Sequence, residues 1–111
     1  MSLNIKNSIQ MKKRADKVIP HQTGTFSRAA GSFVKGVYPM YAQSANGSKF
    51  FDVDGNEYLD YLCGLGPITL GYNYSKVNDA IIKQLQKGIL YSLPSPEEVE
   101  LSELLSKTIP H

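Results

Sequence analysis

The sequence of 111 residues has no tryptophan, one cysteine and two histidines. A single cysteine, Cys63, excludes an internal disulfide, and its apolar neighbours favour a packed, unreactive thiol. His21 and His111 lie near opposite ends of the chain, so neither a metal-ligand spacing nor a Ser/His/Asp set can be built from them. We therefore expect no metal site and no hydrolytic triad.

Long apolar runs and strong charge are also missing. No apolar stretch approaches the length that spans a membrane, and the N-terminus lacks the apolar segment of a signal peptide, so we expect a cytoplasmic protein with no membrane partner. The formal net charge of +2 is too small to indicate nucleic-acid binding. Basic residues concentrate in residues 1–35, which we interpret as a solvated helix face.

The first third of the chain predicts a helix followed by a loop. Residues 4–19 carry a sparse apolar stripe at helical spacing, and Pro20 is expected to end the helix. Residues 20–36 show no clear period and are rich in glycine and small polar residues. A loop of this length in a compact chain is usually functional or disordered.

The middle of the chain predicts a small antiparallel sheet. Residues 37–42 are aromatic and extended, and residues 45–48 (A-N-G-S) read as a turn. Residues 49–53 and 57–62 flank D-G-N, a strong hairpin signal. A two-residue loop would place Asp52 opposite Glu57, an unfavourable pair of like charges, so a three-residue loop with a bulge stays open. Residues 68–74 read as a short strand or turn.

The last third predicts two helices. Ser75 is expected to cap a helix over residues 76–87, and Gly88 suits its C-terminal end. Ser95 is the predicted N-cap of a helix over residues 96–107, where Glu98 completes a capping box. Pro110 is expected to stop that helix. The predicted fold class is therefore α+β, with an N-terminal helix, a small antiparallel sheet with a hairpin and two C-terminal helices.

The run D-V-D-G-N could begin a calcium loop, but its spacing argues against one. Counted from Asp52, position 6 is Glu57 where a calcium loop needs glycine, and position 12 is Cys63 where it needs glutamate. The flanking aromatic residues favour strands. Asp52 and Asp54 are better interpreted as turn-makers whose side chains bond the local backbone.

Two loop motifs leave their role open from the residues alone. Arg28 stands in T-F-S-R, where it could grip a carboxylate with two parallel hydrogen bonds, although composition favours a solvated loop residue. The glycine-rich stretch C-G-L-G-P, residues 63–67, lacks the spacing of a dinucleotide or phosphate loop. Its glycines fit a backbone close to a ligand and tight packing equally well.

The order of motifs resembles a known enzyme family. The run K-F-F-D-V-D-G-N-E-Y-L-D-Y is followed by G-L-G-P, then L-G-Y-N-Y-S-K-V, then E-V-E-L-S-E. Together they resemble the N-terminal part of class III aminotransferases, and within them the glutamate-1-semialdehyde 2,1-aminomutase branch. The resemblance covers residues 15–110.

The resemblance implies the N-terminal segment of a fold-type-I transferase that uses pyridoxal 5'-phosphate. In such enzymes the cofactor forms an imine with a lysine and acts as an electron sink in amino-group transfer. The substrate is a small amino or keto compound with a carboxylate, which the resemblance assigns to Arg28, with Thr25 as the hydroxyl residue of that loop. Gly64, Leu65 and Gly66 are implied to lie beside cofactor and substrate, and the full-length enzyme is implied to be a homodimer.

Some residues depart from the family pattern. Residues 71–75 read G-Y-N-Y-S where the family commonly has G-H-x-H-P, and Leu65 replaces a frequent aromatic. These departures predict a relative with another amino donor or acceptor.

The family's imine-forming lysine lies in a part of the pattern beyond residue 111, so we expect no catalytic residue in these 111 residues and predict an inactive fragment or truncated frame. A non-catalytic interaction module is the alternative. We divide the chain into a helix and active-site loop, residues 1–36, and a small α+β unit, residues 37–111.

Overall fold

The computed structural model describes residues 3–109, which include three helices and one three-stranded antiparallel sheet. This confirms the predicted α+β class. The chain forms two compact units, residues 1–74 and residues 75–111. The division at residue 36, which concerns the organisation of the whole enzyme, stays a prediction. No helix among the described residues is long and apolar enough to cross a membrane.

The sheet is a meander of β1 (Ala42–Asn46), β2 (Lys49–Asp52) and β3 (Glu57–Leu59). The prediction of an extended strand over 37–42 was wrong except at Ala42, and the predicted turn over 45–48 is confirmed at residues 47 and 48. Residues 37–41 are irregular because Pro39 cannot donate to a ladder and because Tyr38 N donates to Val34 O at 3.1 Å in a turn. Asn46 pairs with Lys49, so only residues 47 and 48 form the connection between β1 and β2.

The second hairpin confirms the three-residue loop. Phe51 pairs with Glu57, and Asp52 N donates to Asn56 O at 3.1 Å. Residues 53–55 then form the loop, with the left-handed backbone at Gly55 (φ +83°) that a glycine accepts readily. This register separates Asp52 from Glu57, and Glu57 instead contacts Lys49 across the sheet at 2.6 Å.

The first helix, α1, spans Lys6–Ala15 and is shorter than predicted. Ile19 is extended (φ −127°, ψ 115°) because the residue before a proline avoids the helical region. Pro20 begins a short 3₁₀ turn, Pro20–Gln22, and further 3₁₀ turns, Phe26–Arg28 and Ala30–Ser32, occupy the predicted loop.

Helix α1 is attached to the hairpin by hydrogen bonds between residues far apart in sequence. Asp54 accepts from Asn7 N at 2.6 Å and from Ser8 N at 2.9 Å, so it caps the helix from the hairpin. Asn56 Nδ2 also donates to Asn4 O at 2.7 Å. Burial acts to raise the pKa of Asp54, but hydrogen bonds from Ser8 and Asn7 hold it below its ordinary value.

Few apolar side chains are buried in the described part of the chain. Ala15 and Ala29 are the buried apolar residues there, and Ser8 and Asp52 are the buried polar ones. The carboxylate of Asp52 accepts four hydrogen bonds, at 2.8–3.1 Å, from Asp54 N, Asn56 N, Asn56 Nδ2 and Tyr58 OH. The interpretation of Asp52 as a turn-maker is confirmed, whereas that of Asp54 was wrong because its carboxylate accepts from the N–H groups of α1.

The second unit contains α2 (Ser75–Leu85) and α3 (Pro96–Thr108), close to the predicted helices. Gly88 (φ +101°) follows α2, and its N–H bonds Leu85 O at 3.3 Å. The predicted capping box is present in α3, where Ser95 N donates to Glu98 Oε1 at 3.1 Å. The predicted stop at Pro110 lies outside the described residues.

Candidate functional site

The glycine-rich motif folds into a strained left-handed turn, which we call the glycine turn and define as residues 63–66. Its four consecutive residues have positive φ angles: 49° at Cys63, 61° at Gly64, 70° at Leu65 and 118° at Gly66. Glycine accepts this region, but each non-glycine residue there costs roughly 1–2 kcal/mol. Such strain persists only where the surroundings impose it, which directs attention to the groups that hold the turn.

Asp60 holds the start of the glycine turn. Its Oδ1 accepts from Leu62 N at 2.8 Å and from Cys63 N at 3.2 Å, while Oδ2 accepts from the Tyr72 hydroxyl at 2.6 Å. The hydrogen bond from Tyr72 is the main reason why the pKa of Asp60 lies below its ordinary value, and the two N–H groups lower it further against the opposing effect of burial. Asp60 is therefore an ionised anchor at neutral pH.

Tyr72 is fixed through its backbone as well as its hydroxyl. Its N–H and C=O bond Gly47 at 2.8 and 3.0 Å. The neighbouring Gly71 (φ +85°) leaves little room for a side chain, since a Cβ there would lie 3.1 Å from Gly47 O. The Asp60 hydrogen bond, burial and the negative charge of Asp60 raise the pKa of the Tyr72 phenol to about 12. Tyr72 thus stays protonated and remains a donor.

A shallow cavity of about 310 Å³ lies beside this pair. Its wall includes Gly47, Ser48, Asp60, Thr69 and Tyr72. Polar groups of Gly47 and Ser48, between β1 and β2, and of Thr69 and Tyr72, after the glycine turn, therefore line the same cavity. The volume is at the low end of the range for small-molecule sites.

Arg28 is exposed at the end of the 3₁₀ turn Phe26–Arg28. The turn is closed by Arg28 N, which donates to Thr25 O at 2.9 Å. Among residues 3–109, no carboxylate lies within 4.0 Å of its guanidinium. Its positive charge nevertheless acts on Tyr72, where it opposes the groups that raise the phenol pKa.

The predicted site residues lie on two turns of this unit. The charge of Arg28 acts to lower the pKa of Tyr72, and that of Cys63 acts to raise it. Thr25 lies on the same turn as Arg28. Gly64, Leu65 and Gly66 lie in the glycine turn, where Leu65 has a positive φ that is unfavourable for a non-glycine residue, and their predicted contact with a ligand stays a prediction.

Sequence reasoning missed Asp60 and Tyr72. A local signal existed for Asp60, because an aspartate two residues before a turn commonly bonds the backbone N–H groups ahead of it. Tyr72 had no such signal, since its partner lies twelve residues away and the pairing depends on the contact between Gly47 and Tyr72.

The lysines of the described residues lie at the surface, and the buried carboxylate lies in the hairpin. Each lysine between residues 3 and 109 is exposed except Lys12, which is partly buried and pairs with Asp16 at 3.2 Å. The buried acid Asp52 has its carboxylate filled by donors of the hairpin.

Comparison with known proteins identifies a family. The sequence model of the family described as "Aminotransferase class-III" matches residues 32–111. Glutamate-1-semialdehyde 2,1-aminomutase from Clostridium novyi is 40% identical over 100 residues, covering 90% of this chain and 23% of the relative. The aminomutase from Methanosarcina acetivorans is 40% identical over 108 residues, covering 97% and 24%.

Solved structures give the same picture. A transaminase with PLP bound superposes with a TM-score of 0.81 at 27% identity, covering 96% of this chain and 24% of that one. An omega-transaminase from Sphaerobacter thermophilus has a TM-score of 0.81 at 26% identity, covering 97% and 25%. The chain spans about a quarter of the length of the relatives it matches, and the likeness confirms that its fold is a segment of a PLP-dependent transferase.

Proposed function

The chain belongs to the class-III aminotransferases, and we propose that it supplies the substrate-binding edge of a pyridoxal-phosphate-dependent aminotransferase or aminomutase. The substrate is a small amino or keto compound that carries a carboxylate. Pyridoxal phosphate, when bound in the complete enzyme, supplies the electron sink for amino-group transfer. The complete enzyme is proposed to be a cytoplasmic homodimer.

Arg28 is the observation that carries this proposal. An arginine that is exposed, set at the end of a hydrogen-bonded turn and without a carboxylate partner among the described residues is free to take one from a ligand. Its planar guanidinium suits a carboxylate because it forms two parallel hydrogen bonds. Thr25, at the start of the same turn, is proposed to add a hydroxyl contact.

We propose that Gly64, Leu65 and Gly66 line the space beside substrate and cofactor. Support comes from the strain of the glycine turn, because backbone outliers of this kind cluster at ligand sites. Leu65 is 70% exposed although it is apolar, which fits a side chain that is covered when a ligand or another part of the enzyme is present.

A chimaera tests the proposal. Residues 1–111 would replace the corresponding quarter of the aminomutase from Clostridium novyi, and activity would be assayed on glutamate-1-semialdehyde. We expect an active chimaera in which Arg28→Ala raises KM for the substrate by about tenfold or more, the size expected for loss of a charge-assisted hydrogen bond. Arg14→Ala, on the exposed part of α1, is the matched control and should leave KM unchanged.

Two results would contradict the proposal. A folded chimaera without activity would mean that this segment does not complete the substrate site. An active chimaera in which Arg28→Ala and Arg14→Ala behave alike would remove Arg28 from substrate binding.

A non-catalytic interaction module is the second candidate function. The observation that favours it is the exposure of apolar side chains on α2, where Val77, Ile81 and Leu85 are 43%, 52% and 54% exposed. Such a stripe is typical of a face that a partner covers. Light scattering of the purified 111-residue chain during size exclusion tests it, and a folded monomer over a wide concentration range would count against it.

A further inference from the structure

The cavity beside Asp60 carries a negative charge that no cation of the described residues neutralises. The Asp60 carboxylate is part of the cavity wall. Two ion pairs are present among residues 3–109, and neither includes Asp60, so no lysine or arginine of that range lies within 4.0 Å of its carboxylate. An ionised carboxylate at the wall of a cavity, without a counter-ion, attracts a cationic ligand.

The wall of the cavity also offers hydrogen-bond acceptors. Two backbone N–H groups and the Tyr72 hydroxyl take three of the roughly four lone-pair positions of the Asp60 carboxylate, which leaves about one for a ligand. Ser48 and Thr69 add a hydroxyl each, and no hydrogen bond joins either hydroxyl to another residue of the range 3–109. Three acceptors that line one cavity match the three N–H donors of a primary ammonium group.

Backbone hydrogen bonds hold the residues that carry these acceptors. Asp60 N donates to Ser48 O at 2.9 Å, which keeps the two residues side by side at the sheet. Gly71 N donates to Ile68 O at 3.1 Å, so Thr69 lies within a closed turn. A site whose backbone is fixed before binding loses little conformational freedom when a ligand arrives.

The rest of the wall favours an organic ammonium over a metal ion. Ile68 and Leu70 give the cavity apolar surface, which a hydrocarbon stem can remove from water. A calcium ion takes about six to eight oxygen ligands, several of them from carboxylates. Asp60 is the one carboxylate among the described residues of the wall, and residues 3–109 hold no group of three acidic, histidine or cysteine side chains that suits a metal.

We propose that the cavity beside Asp60 binds a small primary amine in its ammonium form. Asp60 is the counter-ion, and the hydroxyls of Ser48 and Thr69 are the further acceptors. Ile68 and Leu70 contact the apolar stem of the amine. The proposal does not rest on the proposed carboxylate site, since it uses other residues and a ligand group of the opposite charge, so the two can fail independently.

The test uses the 111-residue chain, ¹⁵N-labelled, at neutral pH and constant ionic strength, with n-butylammonium as the probe. Tetramethylammonium has the same charge but no N–H donor, and 1-butanol has the stem but no charge. The variants are Asp60→Asn, Thr69→Val, and Asp79→Asn as the matched control, which removes the same charge from an exposed acid of α2. NMR titration follows the backbone amides of Leu62 and Tyr72, and the amides of β1 and β2 show whether each variant is folded.

We expect butylammonium to bind with a dissociation constant of roughly 1–10 mM, the range for a ligand of few atoms with one charged contact. Tetramethylammonium and butanol should each bind about tenfold more weakly or worse. Asp60→Asn should weaken butylammonium binding by about tenfold or more and Thr69→Val by about threefold, because Asp60 contributes a full charge and Thr69 one hydroxyl. Asp79→Asn should leave the affinity at the wild-type value.

Several results would overturn the proposal. One is the absence of any shift with butylammonium, and another is equal binding of butylammonium and tetramethylammonium, because charge alone would then explain it. A folded Asp60→Asn chain with wild-type affinity, or an Asp79→Asn chain that is weakened equally, would count against it in the same way. If Asp60→Asn does not fold, Thr69→Val decides: wild-type affinity for butylammonium overturns the proposal, and a loss confined to butylammonium supports it.

Discussion

Two turns of the molecule are held by the same pair of side chains, an aspartate and a tyrosine, with different results. In the hairpin turn, residues 52–56, Asp52 is 2% exposed and accepts the Tyr58 hydroxyl at 3.1 Å. In the glycine turn, Asp60 accepts the Tyr72 hydroxyl at 2.6 Å beside an open cavity. The comparison teaches that the surroundings decide whether such a pair is buried within a turn or lies at the wall of a cavity.

Backbone strain separates the two turns further. The hairpin turn needs a left-handed residue only at Gly55, which accepts that conformation readily, whereas the glycine turn also places Cys63 and Leu65 there. The hairpin turn is therefore a relaxed structure that stabilises the fold. The glycine turn stores strain, which Asp60 and Tyr72 must hold.

Asp52→Ala should give the largest effect, because it removes the acceptor of four donors in a buried place. We expect a loss of about 3 kcal/mol in the free energy of unfolding, measured by urea denaturation. Asp79→Ala, at an exposed acid of α2, is the control and should change stability by less than about 0.5 kcal/mol. Similar losses in the two variants would mean that the hydrogen bonds accepted by Asp52 do not stabilise the hairpin.

Asp54→Ala should act locally on α1. The amides of Asn7 and Ser8 lose their acceptor, so their hydrogen exchange should accelerate, while the backbone amides at positions 54 and 56 stay protected by Asp52.

The same contact predicts a pH dependence for the α1 cap. The pKa of Asp54 is lowered in the folded chain from its ordinary value of 3.8. The stabilisation that the cap contributes should therefore be complete above pH 3.8 and should be lost as the pH falls through the lower pKa of the folded chain. Exchange that accelerates equally across the sheet would contradict a local role.

Tyr72→Phe should alter the response to alkaline pH. The phenol pKa is raised from 10.0 to about 12 in the folded chain, so its contribution to stability is full below pH 10 and declines as the pH rises toward 12. The urea midpoint of the wild type should therefore fall more steeply over this window than that of Tyr72→Phe. Tyr61→Phe, at a side chain that is 89% exposed, should keep the wild-type slope, and equal slopes for all three chains would contradict the prediction.

Leu65→Gly should give the smallest effect and the opposite sign. Glycine removes the left-handed strain at φ +70°, and little packing is lost because the side chain is 70% exposed. The strain energy that is relieved exceeds the extra conformational entropy that glycine gives the unfolded chain, so we expect the free energy of unfolding to rise by about 0.5 kcal/mol. Leu93→Gly, at a residue 76% exposed and without a positive φ, should destabilise; a loss at Leu65 as well would show that the turn is not strained there.

Several elements could be predicted because their signals are local. Asp-Gly-Asn between aromatic runs predicted the second hairpin, and the repulsion of Asp52 and Glu57 favoured the three-residue loop that is observed. The Ser95 and Glu98 capping box located α3. Strand β1 escaped prediction because its residues A-Q-S-A-N are exposed or half-exposed and lack the alternation of a half-buried strand.

The site was less accessible to sequence reasoning than the fold. Arg28 and Thr25 could be named through the family resemblance, since a loop arginine alone has no distinguishing pattern. Tyr72 depends on a backbone bridge to Gly47 and on a hydroxyl contact with Asp60. Long-range contacts between single polar side chains leave no periodicity in a sequence, so no local rule could have paired them.

The cap that Asp54 places on α1 also has a consequence for the order of folding. A helix of ten residues with few buried side chains is marginal by itself in water, and its capping acid is separated from it by 46 residues of chain. During synthesis on the ribosome, α1 emerges before the hairpin and lacks its acceptor until the hairpin has emerged and closed. Helix α1 is therefore made before the hairpin but becomes stable only together with it.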